Sequence, residues 1–173
     1  ILPTCDRSHT LRTAMISALA ALPDDGELIL VDDGIEFDAT SVLDDLVDPR
    51  LRLIKTSGRQ GPSSARNIGA KAAKGDVLFF LDDDDAMVKD YVRRILAGLK
   101  SGQINADFGF SAMRVGNRIR GKSRPTGSVG PVEPLGDRLC GLGMGFWILG
   151  SKFEDLGGLD ETYFVNEDTE FCL

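Results

Sequence analysis

Three observations predict an α/β fold, a three-layer α/β/α sandwich around a mostly parallel sheet. Short continuous apolar runs, Leu28-Ile29-Leu30-Val31 and Val77-Leu78-Phe79-Phe80-Leu81, read as strands buried on both faces. They alternate with segments whose apolar residues recur at helical spacing, the pattern of strands joined by crossover helices. Carboxylates follow both runs directly, Asp32-Asp33 after the first and Asp82 to Asp85 after the second. In open parallel sheets, ligands bind outside those carboxyl ends.

Taken in order, Ile1-Leu2-Pro3-Thr4 reads as the end of a strand. Leu11, Ala14, Met15, Ala18, Leu19 and Leu22 then mark an amphipathic helix with Ser8 or Thr10 as its N-cap. After the strand Leu28 to Val31, a weaker helix carrying Leu43, Leu46 and Val47 leads to a third strand, Leu51 to Ile54. Pro62 suits the first position of the next helix, which ends before Gly75 and buries Ala65, Ile68, Gly69 and Ala72; such small residues imply close packing on a sheet. The strand Val77 to Leu81 follows, then a helix with Met87, Val88, Tyr91, Val92, Ile95, Leu96 and Leu99, closed by Gly102. Beyond Ala106 the pattern changes. Phe108 to Ala112 reads as a strand, Asn117 to Pro134 as a mobile Gly/Pro/Arg-rich loop, and Leu139 to Leu149 as an apolar glycine-rich stretch. Phe153 to Leu159 reads as a short helix stopped at Gly157-Gly158, and a final helix begins near Glu167.

A length of 173 residues, 42% of them hydrophobic, fits one domain spanning 1–173 with a core of its own. Residues 1–105 form its regular half and 106–173 its irregular half. The net charge of −7 makes a nucleic-acid backbone an unsuitable partner, since Lys and Arg cluster only between Arg114 and Arg124. Cys5, Cys140 and Cys172 have no CxxC spacing, which argues against a zinc site or a disulfide framework and for a reducing compartment. No apolar run is long enough to span a membrane and no signal peptide is visible, so a soluble segment is expected. Both ends look cut, Glu170 to Leu173 inside a helix, so an anchor could lie outside the sequence.

Four adjacent aspartates, Asp82 to Asp85, repel one another by about 1 kcal/mol per pair at about 4 Å even in bulk water, so a cation is expected beside them. Carboxylates without Cys or His favour a hard cation, Mg²⁺ or Mn²⁺, held partly through a ligand's phosphates. The competing reading is that the acids only cap the following helix, as Asp85 suits. An EF-hand loop counted from Asp82 fails, because its sixth position is Met87 and its twelfth is Arg93. No GxGxxG follows the first strand, and there is no P-loop.

Pro3-Thr4-Cys5-Asp6-Arg7 looks like P-T-Y-N-R, Val31-Asp32-Asp33-Gly34 like V-D-D-G/S, and Ala65-Arg66-Asn67-Ile68-Gly69 like A-R-N-x-G. Gly75-Asp76 to Asp85 looks like G-x-x-x-x-F-L-D-x-D-D, and Gly157 to Glu161 followed by Glu167-Asp168 like G-G-F-D-E and E-D. In order and over nearly the whole chain, these motifs resemble those of family 2 glycosyltransferases with the Rossmann-like GT-A fold. The resemblance implies that Thr4 and Asp33 contact a nucleotide base, with Pro3, Asp6 and Asp83 in the same nucleotide-sugar site and Arg66 beside the nucleotide. Asp82 and Asp84 would be the D-x-D pair holding ribose and a divalent metal, Mn²⁺ or Mg²⁺, and Asp168 the general base. Residues 1–105 would then bind the nucleotide sugar and 106–173 the acceptor. Cys5-Asp6 departs from the family's Tyr-Asn, which touches the base pocket.

The implied reaction is an inverting transfer from a UDP-sugar to a glycan, lipid-linked or other hydroxyl acceptor, as in polysaccharide or cell-envelope glycan synthesis. The expected location is the cytoplasm or the cytoplasmic face of a membrane. Chemistry asks for the same parts: a divalent ion stabilises charge on the leaving diphosphate, and a carboxylate takes the acceptor's proton. Trp147 and Phe146 offer a platform for a sugar ring, with core packing as the alternative. Glu167 could orient the acceptor or favour a helix N-terminus. Arg118, Arg120, Lys122 and Arg124 could close over the diphosphate, with a solvated loop as the alternative, and His9 reads as exposed or capping. The rivals are a nucleotidyltransferase, whose glycine-rich basic signature is absent near the first strand, and a noncatalytic nucleotide-sugar-binding module, which the joint presence of Asp82, Asp84 and Asp168 argues against.

Overall fold

The computed structural model describes residues 1–43, 46–111, 113–115, 118–120 and 145–163, with the side chains of 113–115 and 118–120 left aside. Strand β1 (Leu2–Thr4) leads into helix α1 (Ser8–Ala21), then to β2 (Leu28–Asp32) and β3 (Leu51–Lys55). Helix α2 (Pro62–Ala72), β4 (Val77–Phe79) and α3 (Tyr91–Ser101) complete the regular half. After them come β5 (Phe108–Gly109), β6 (Met113–Val115), β7 (Arg118–Arg120), β8 (Trp147–Leu149) and α4 (Gly150–Asp155).

β2 lies between β1 and β3, both parallel to it, with Leu2 opposite Leu30 and Leu28 opposite Leu51. Its residues are buried throughout, as its unbroken apolar run requires. Alternation along the strand then divides the core between two helical layers. Leu28 and Leu30 pack with Leu11, Met15 and Leu19 of α1, whereas Ile29 and Val31 pack with Ala65 of α2. Gly69 lets α2 come close, because a Cβ there would stand 2.5 Å from the Ile1 side chain.

β4 belongs to a second ladder in which β8 runs antiparallel between β4 and β5. Ile1 joins the two ladders: its amine donates to the Phe79 carbonyl at 2.7 Å, and its own carbonyl accepts from Leu81 N–H at 3.1 Å. β2 and β3 therefore lie on one side of β1 and β4 on the other, and the winding reverses at β1. A third cluster, Leu78, Phe80, Phe146, Ile148, Phe153 and Leu159, fills the space under β4 and β8.

Several elements depart from the sequence expectations. The helix expected around Leu43 and Val47 is a single 3₁₀ turn, Ala39–Val42, and Val47 is 94% exposed. Asp38 caps that turn through Thr40 N–H, and only Ala39 within it is buried, too little apolar surface to support a full helix. α1 starts as expected, but neither Ser8 nor Thr10 caps it, since Arg7 holds the cap position without a side-chain bond. α3 starts at Tyr91, later than expected, leaving Val88 74% exposed. Its end is as expected, with Gly102 in the left-handed conformation at φ 73°. The stretch expected as a loop from Asn117 begins as part of a hairpin, β7 pairing with β6. Phe108 to Ala112 yields only the two-residue β5, with Ala112 outside the described residues. Among the described residues, no helix is long and apolar enough to cross a membrane.

Candidate active site

The reversal of winding at β1 opens a crevice where the carboxyl ends of β1, β2 and β4 meet, the position expected for a ligand site in such a sheet. A cleft of about 510 Å³ lies there, bordered at one end by Cys5, Asp33, Arg59 and Gly61 and at the other by Arg7, Arg66 and Asp82 to Asp84. Pro3 and Thr4 line it too, so the first strand contributes its last two residues.

At the β4 end the carboxylates meet side chains. Arg66, buried on α2, donates to Asp82 at 2.7 Å. Arg7, at the start of α1, donates to Asp83 at 3.3 Å and also to Asp84. Thr4 Oγ1 donates to Asp83 at 2.7 Å, fixing the end of β1 to the acidic turn. Burial raises the Asp83 pKa against the opposing pull of Thr4 and Arg7. Burial likewise raises that of Asp85, aided by repulsion from Asp82 and Asp84. The Arg7 guanidinium is held more firmly protonated, chiefly by Asp83.

Asp82, Asp84 and Asp85 each offer an oxygen, all within 4.8 Å of one another. An all-carboxylate donor set of this spread fits a hard divalent ion completed by water or a ligand's phosphates. Asp85 thus joins the acidic group instead of capping α3, whose N-cap is Asp90. Asp83, the middle residue of the pair, is the most buried of the run and serves as an anchor.

At the β2 end the carboxylates meet main chain. Asp32 accepts from Gly34 N–H and Ala39 N–H, both at 3.1 Å, one on each of its oxygens. Asp33 accepts from Gln60 N–H at 3.0 Å, from Gly61 N–H at 2.9 Å and from the Thr56 hydroxyl. A carboxylate has about four acceptor positions, so Asp33 retains one for a ligand. Both acidic clusters reach the crevice, the first through Asp33 alone, since Asp32 is buried and absent from the cleft wall.

Asp6 also lies outside the wall. Its Oδ1 accepts from the N–H groups of Ile35, Glu36 and Phe37 at 2.8 to 3.0 Å, which holds its pKa down, the Glu36 bond first. Of the two readings open for Trp147 and Phe146, the structure takes core packing over the sugar platform: they are 0% and 1% exposed, with Trp147 on β8 between β4 and β5. Asp168 and Glu167 lie outside the described residues, as do the side chains of Arg118, Arg120, Lys122 and Arg124.

Two motifs far apart in sequence meet beside the cleft. Asn67 donates to the Leu159 carbonyl at 2.8 Å and to Glu161 at 2.9 Å, and accepts from Leu159 N–H at 2.9 Å. Gly158, at φ 75°, leaves room for this, because a Cβ there would stand 2.8 Å from Asn67 Oδ1. Ser63 then reaches the Tyr163 carbonyl at 3.4 Å, one residue from Pro62 in the cleft wall. Sequence reasoning passed over Arg59 and gave Arg7 no role. Arg7 could have been found from its place in the first motif, whereas Arg59 carries no local signal.

A family model described as glycosyl transferase family 2 matches residues 1–140. A Haemophilus influenzae protein described as an uncharacterized glycosyltransferase is 35% identical over 98 residues, covering 56% of this chain and 39% of the relative. The Escherichia coli enzyme UDP-Glc:alpha-D-GlcNAc-diphosphoundecaprenol beta-1,3-glucosyltransferase WfgD is 25% identical over 146 residues, 83% of this chain and 56% of the relative. Among solved structures, residues 1–349 of TarS from S. aureus superpose with a TM-score of 0.78 at 19% identity, covering 98% of this chain and 52% of that one. The chain therefore spans about half or less of the length of these proteins.

Proposed function

The chain belongs to glycosyl transferase family 2 and has the GT-A fold, and from that premise we propose that it forms the donor-binding core of an inverting glycosyltransferase. The donor is a UDP-sugar and the acceptor a hydroxyl of a lipid-linked glycan, in line with the WfgD relative, whose name gives UDP-Glc and a diphosphoundecaprenol acceptor. TarS has been solved with UDP and with UDP-GlcNAc, which supports the same nucleotide. Such an acceptor would bring the protein to the cytoplasmic face of a membrane.

The observation that carries this reading is the division of labour along the cleft. Its β2 end offers one remaining acceptor on Asp33, suited to an N–H of a uracil ring, and no net excess of carboxylate directed at the ligand. Its β4 end offers two guanidinium groups, Arg7 and Arg66, interleaved with carboxylates, the composition a diphosphate and a cation require together. Asp82, Asp84 and Asp85 would hold Mn²⁺ or Mg²⁺, which when bound stabilises charge on the departing diphosphate. Arg7 and Arg66 orient the phosphates beside it. Asp168 acts as general base, taking the proton of the acceptor hydroxyl as that oxygen attacks the anomeric carbon. In support, the Asn67 clamp and the Ser63 contact hold Tyr163 against the neighbour of cleft-lining Pro62, and five residues span at most about 18 Å.

A turnover assay with UDP-glucose, UDP-GlcNAc, Mn²⁺ and a lipid-linked acceptor, run on the chain and on a form extended to the length of its relatives, tests the reading. Released UDP with inverted product is the expected result, whereas pyrophosphate released in a parallel assay with UTP and a sugar 1-phosphate would show a nucleotidyltransferase. Asp168→Asn is expected to keep UDP binding and lose transfer; an active variant removes the base assignment.

A further inference from the structure

We propose that Arg59 is the nucleobase platform of the cleft, its guanidinium plane lying against the base and held there by Asp6 and Glu36. The proposal rests on reading the cleft as a nucleotide site, and it goes beyond that reading by naming a residue that none of the recognised motifs contains.

The first motif departs from the resembled pattern in a residue that lines the cleft. Cys5 stands where the resembled pattern has Tyr, so the chain lacks an aromatic ring at a position that lines the cleft. A thiol offers no planar face. Cys5 is itself tied down, its Sγ lying 3.5 Å from the Asp33 carbonyl. The same carbonyl accepts from Arg59 N–H at 2.7 Å, so Arg59 enters the wall immediately beside Cys5. Among the wall residues at this end, Cys5, Asp33, Arg59 and Gly61, Arg59 alone carries a planar group able to stack on a base.

Its side chain is restrained. Arg59 Nη2 donates to Asp6 Oδ2 at 3.3 Å and to Glu36 Oε1 at 2.6 Å. Asp6 is the second departure in the first motif, standing where the pattern has Asn. An Asn carbonyl could accept the three N–H groups of Ile35, Glu36 and Phe37 as Asp6 Oδ1 does, but it would bring no charge to Arg59. The two departures, Cys5 and Asp6, therefore fit one rearrangement in which the ring is lost and a tethered guanidinium takes over. The main chain at Arg59 adopts φ 51°, a left-handed conformation unfavourable for a long side chain, and the Asp33 bonds to the N–H groups of Gln60 and Gly61 hold the loop in it.

With 55% of the side chain exposed, Arg59 remains accessible to a ligand in the cleft it lines. Guanidinium groups stack on any nucleobase, whereas a group that only attracts phosphate acts through charge. That difference separates the two roles.

Calorimetry in the presence of Mn²⁺ with UDP and with inorganic pyrophosphate, on the wild type, Arg59→Ala, Arg59→Lys and Asp6→Asn, tests the proposal. Arg59→Ala is expected to weaken UDP by about tenfold and leave pyrophosphate unchanged. Arg59→Lys should lose as much as Arg59→Ala, because it keeps the charge and loses the plane. Asp6→Asn should give a smaller loss of about two- to threefold, from a loosened tether. Equal UDP affinity in wild type and Arg59→Ala, restoration by Lys, or a parallel loss of pyrophosphate overturns the assignment. A wild type that binds pyrophosphate but not UDP overturns the reading of the cleft itself, and the inference with it.

Discussion

At the exit of β2 the carboxylates of Asp32 and Asp33 are met by main-chain N–H groups, and at the exit of β4 those of Asp82, Asp83 and Asp84 are met by Arg66, Thr4 and Arg7. The β2 acids bond to loops of their own half, Asp32 to the turn 34–39, which Asp6 also holds, and Asp33 to the loop 56–61. The β4 acids outnumber the cations near them, and burial with mutual repulsion leaves Asp83 and Asp85 with raised pKa values. At the β2 exit the following chain turns N–H groups onto the acids and takes up most of their acceptors, whereas at the β4 exit further acids follow instead, and these are the ones proposed to face a ligand.

The largest effect expected from this contrast is on stability at the β2 exit. Asp33→Ala abandons two main-chain N–H groups and a hydroxyl, and should lower unfolding free energy by about 3 kcal/mol, read as a lower urea midpoint. A midpoint equal to the wild type would break the distinction. Next is Asp84→Ala at the β4 exit, where stability should change by less than about 0.5 kcal/mol because the side chain is half exposed and repelled by its neighbours. Its Mn²⁺-dependent gain in UDP affinity should nonetheless fall by about tenfold or more, measured by calorimetry with and without the metal. Equal gain in variant and wild type would remove Asp84 from the metal set.

Thr4→Val sits between the two regimes, removing one hydrogen bond to the buried Asp83. A loss of about 1 kcal/mol by chemical denaturation is expected, well short of the Asp33 effect. The smallest effect concerns acid. Asp38 has its pKa lowered to about 2, first by Lys55 and then by Thr40. Its folded pKa lies below the unfolded value, so its stabilising contribution is present above about 4 and lost as pH falls toward about 2. Asp38→Asn should therefore flatten that limb of the stability curve, with the two proteins converging at its acid end.

Much of this was legible in the sequence. The strands β1 to β4, the start of α2 at Pro62 and the stop of α3 at Gly102 follow from apolar runs and from residues with one dominant conformational use. The helix misread near Leu43 had three apolar residues at suitable spacing, but its neighbours offered nothing for Val47 to pack on. Trp147, with Phe146 beside Gly145, left a sugar platform and core packing both open. The fold decides for the core, where Gly109 of the neighbouring strand makes room: a Cβ there would stand 2.8 Å from the indole nitrogen. Asp6 was grouped with the ligand contacts through its motif, yet its carboxylate turns to the backbone of 35–37.

The sequence alone determined the layer architecture, the order of strands and helices, and the end of the sheet where chemistry gathers, because these depend on short-range periodicity and on charges adjacent to apolar runs. It also carried the family, through motifs whose residues lie close together in the chain. Tertiary structure alone decided which acids are bonded to the main chain and which line the cleft, and that Arg59 stands in the cleft beside Cys5. It alone joined Asn67 to the segment 158–161 across the molecule. Hydrogen-bond partners separated by dozens of residues are chosen by how strands pair and helices pack, and no local pattern records that choice.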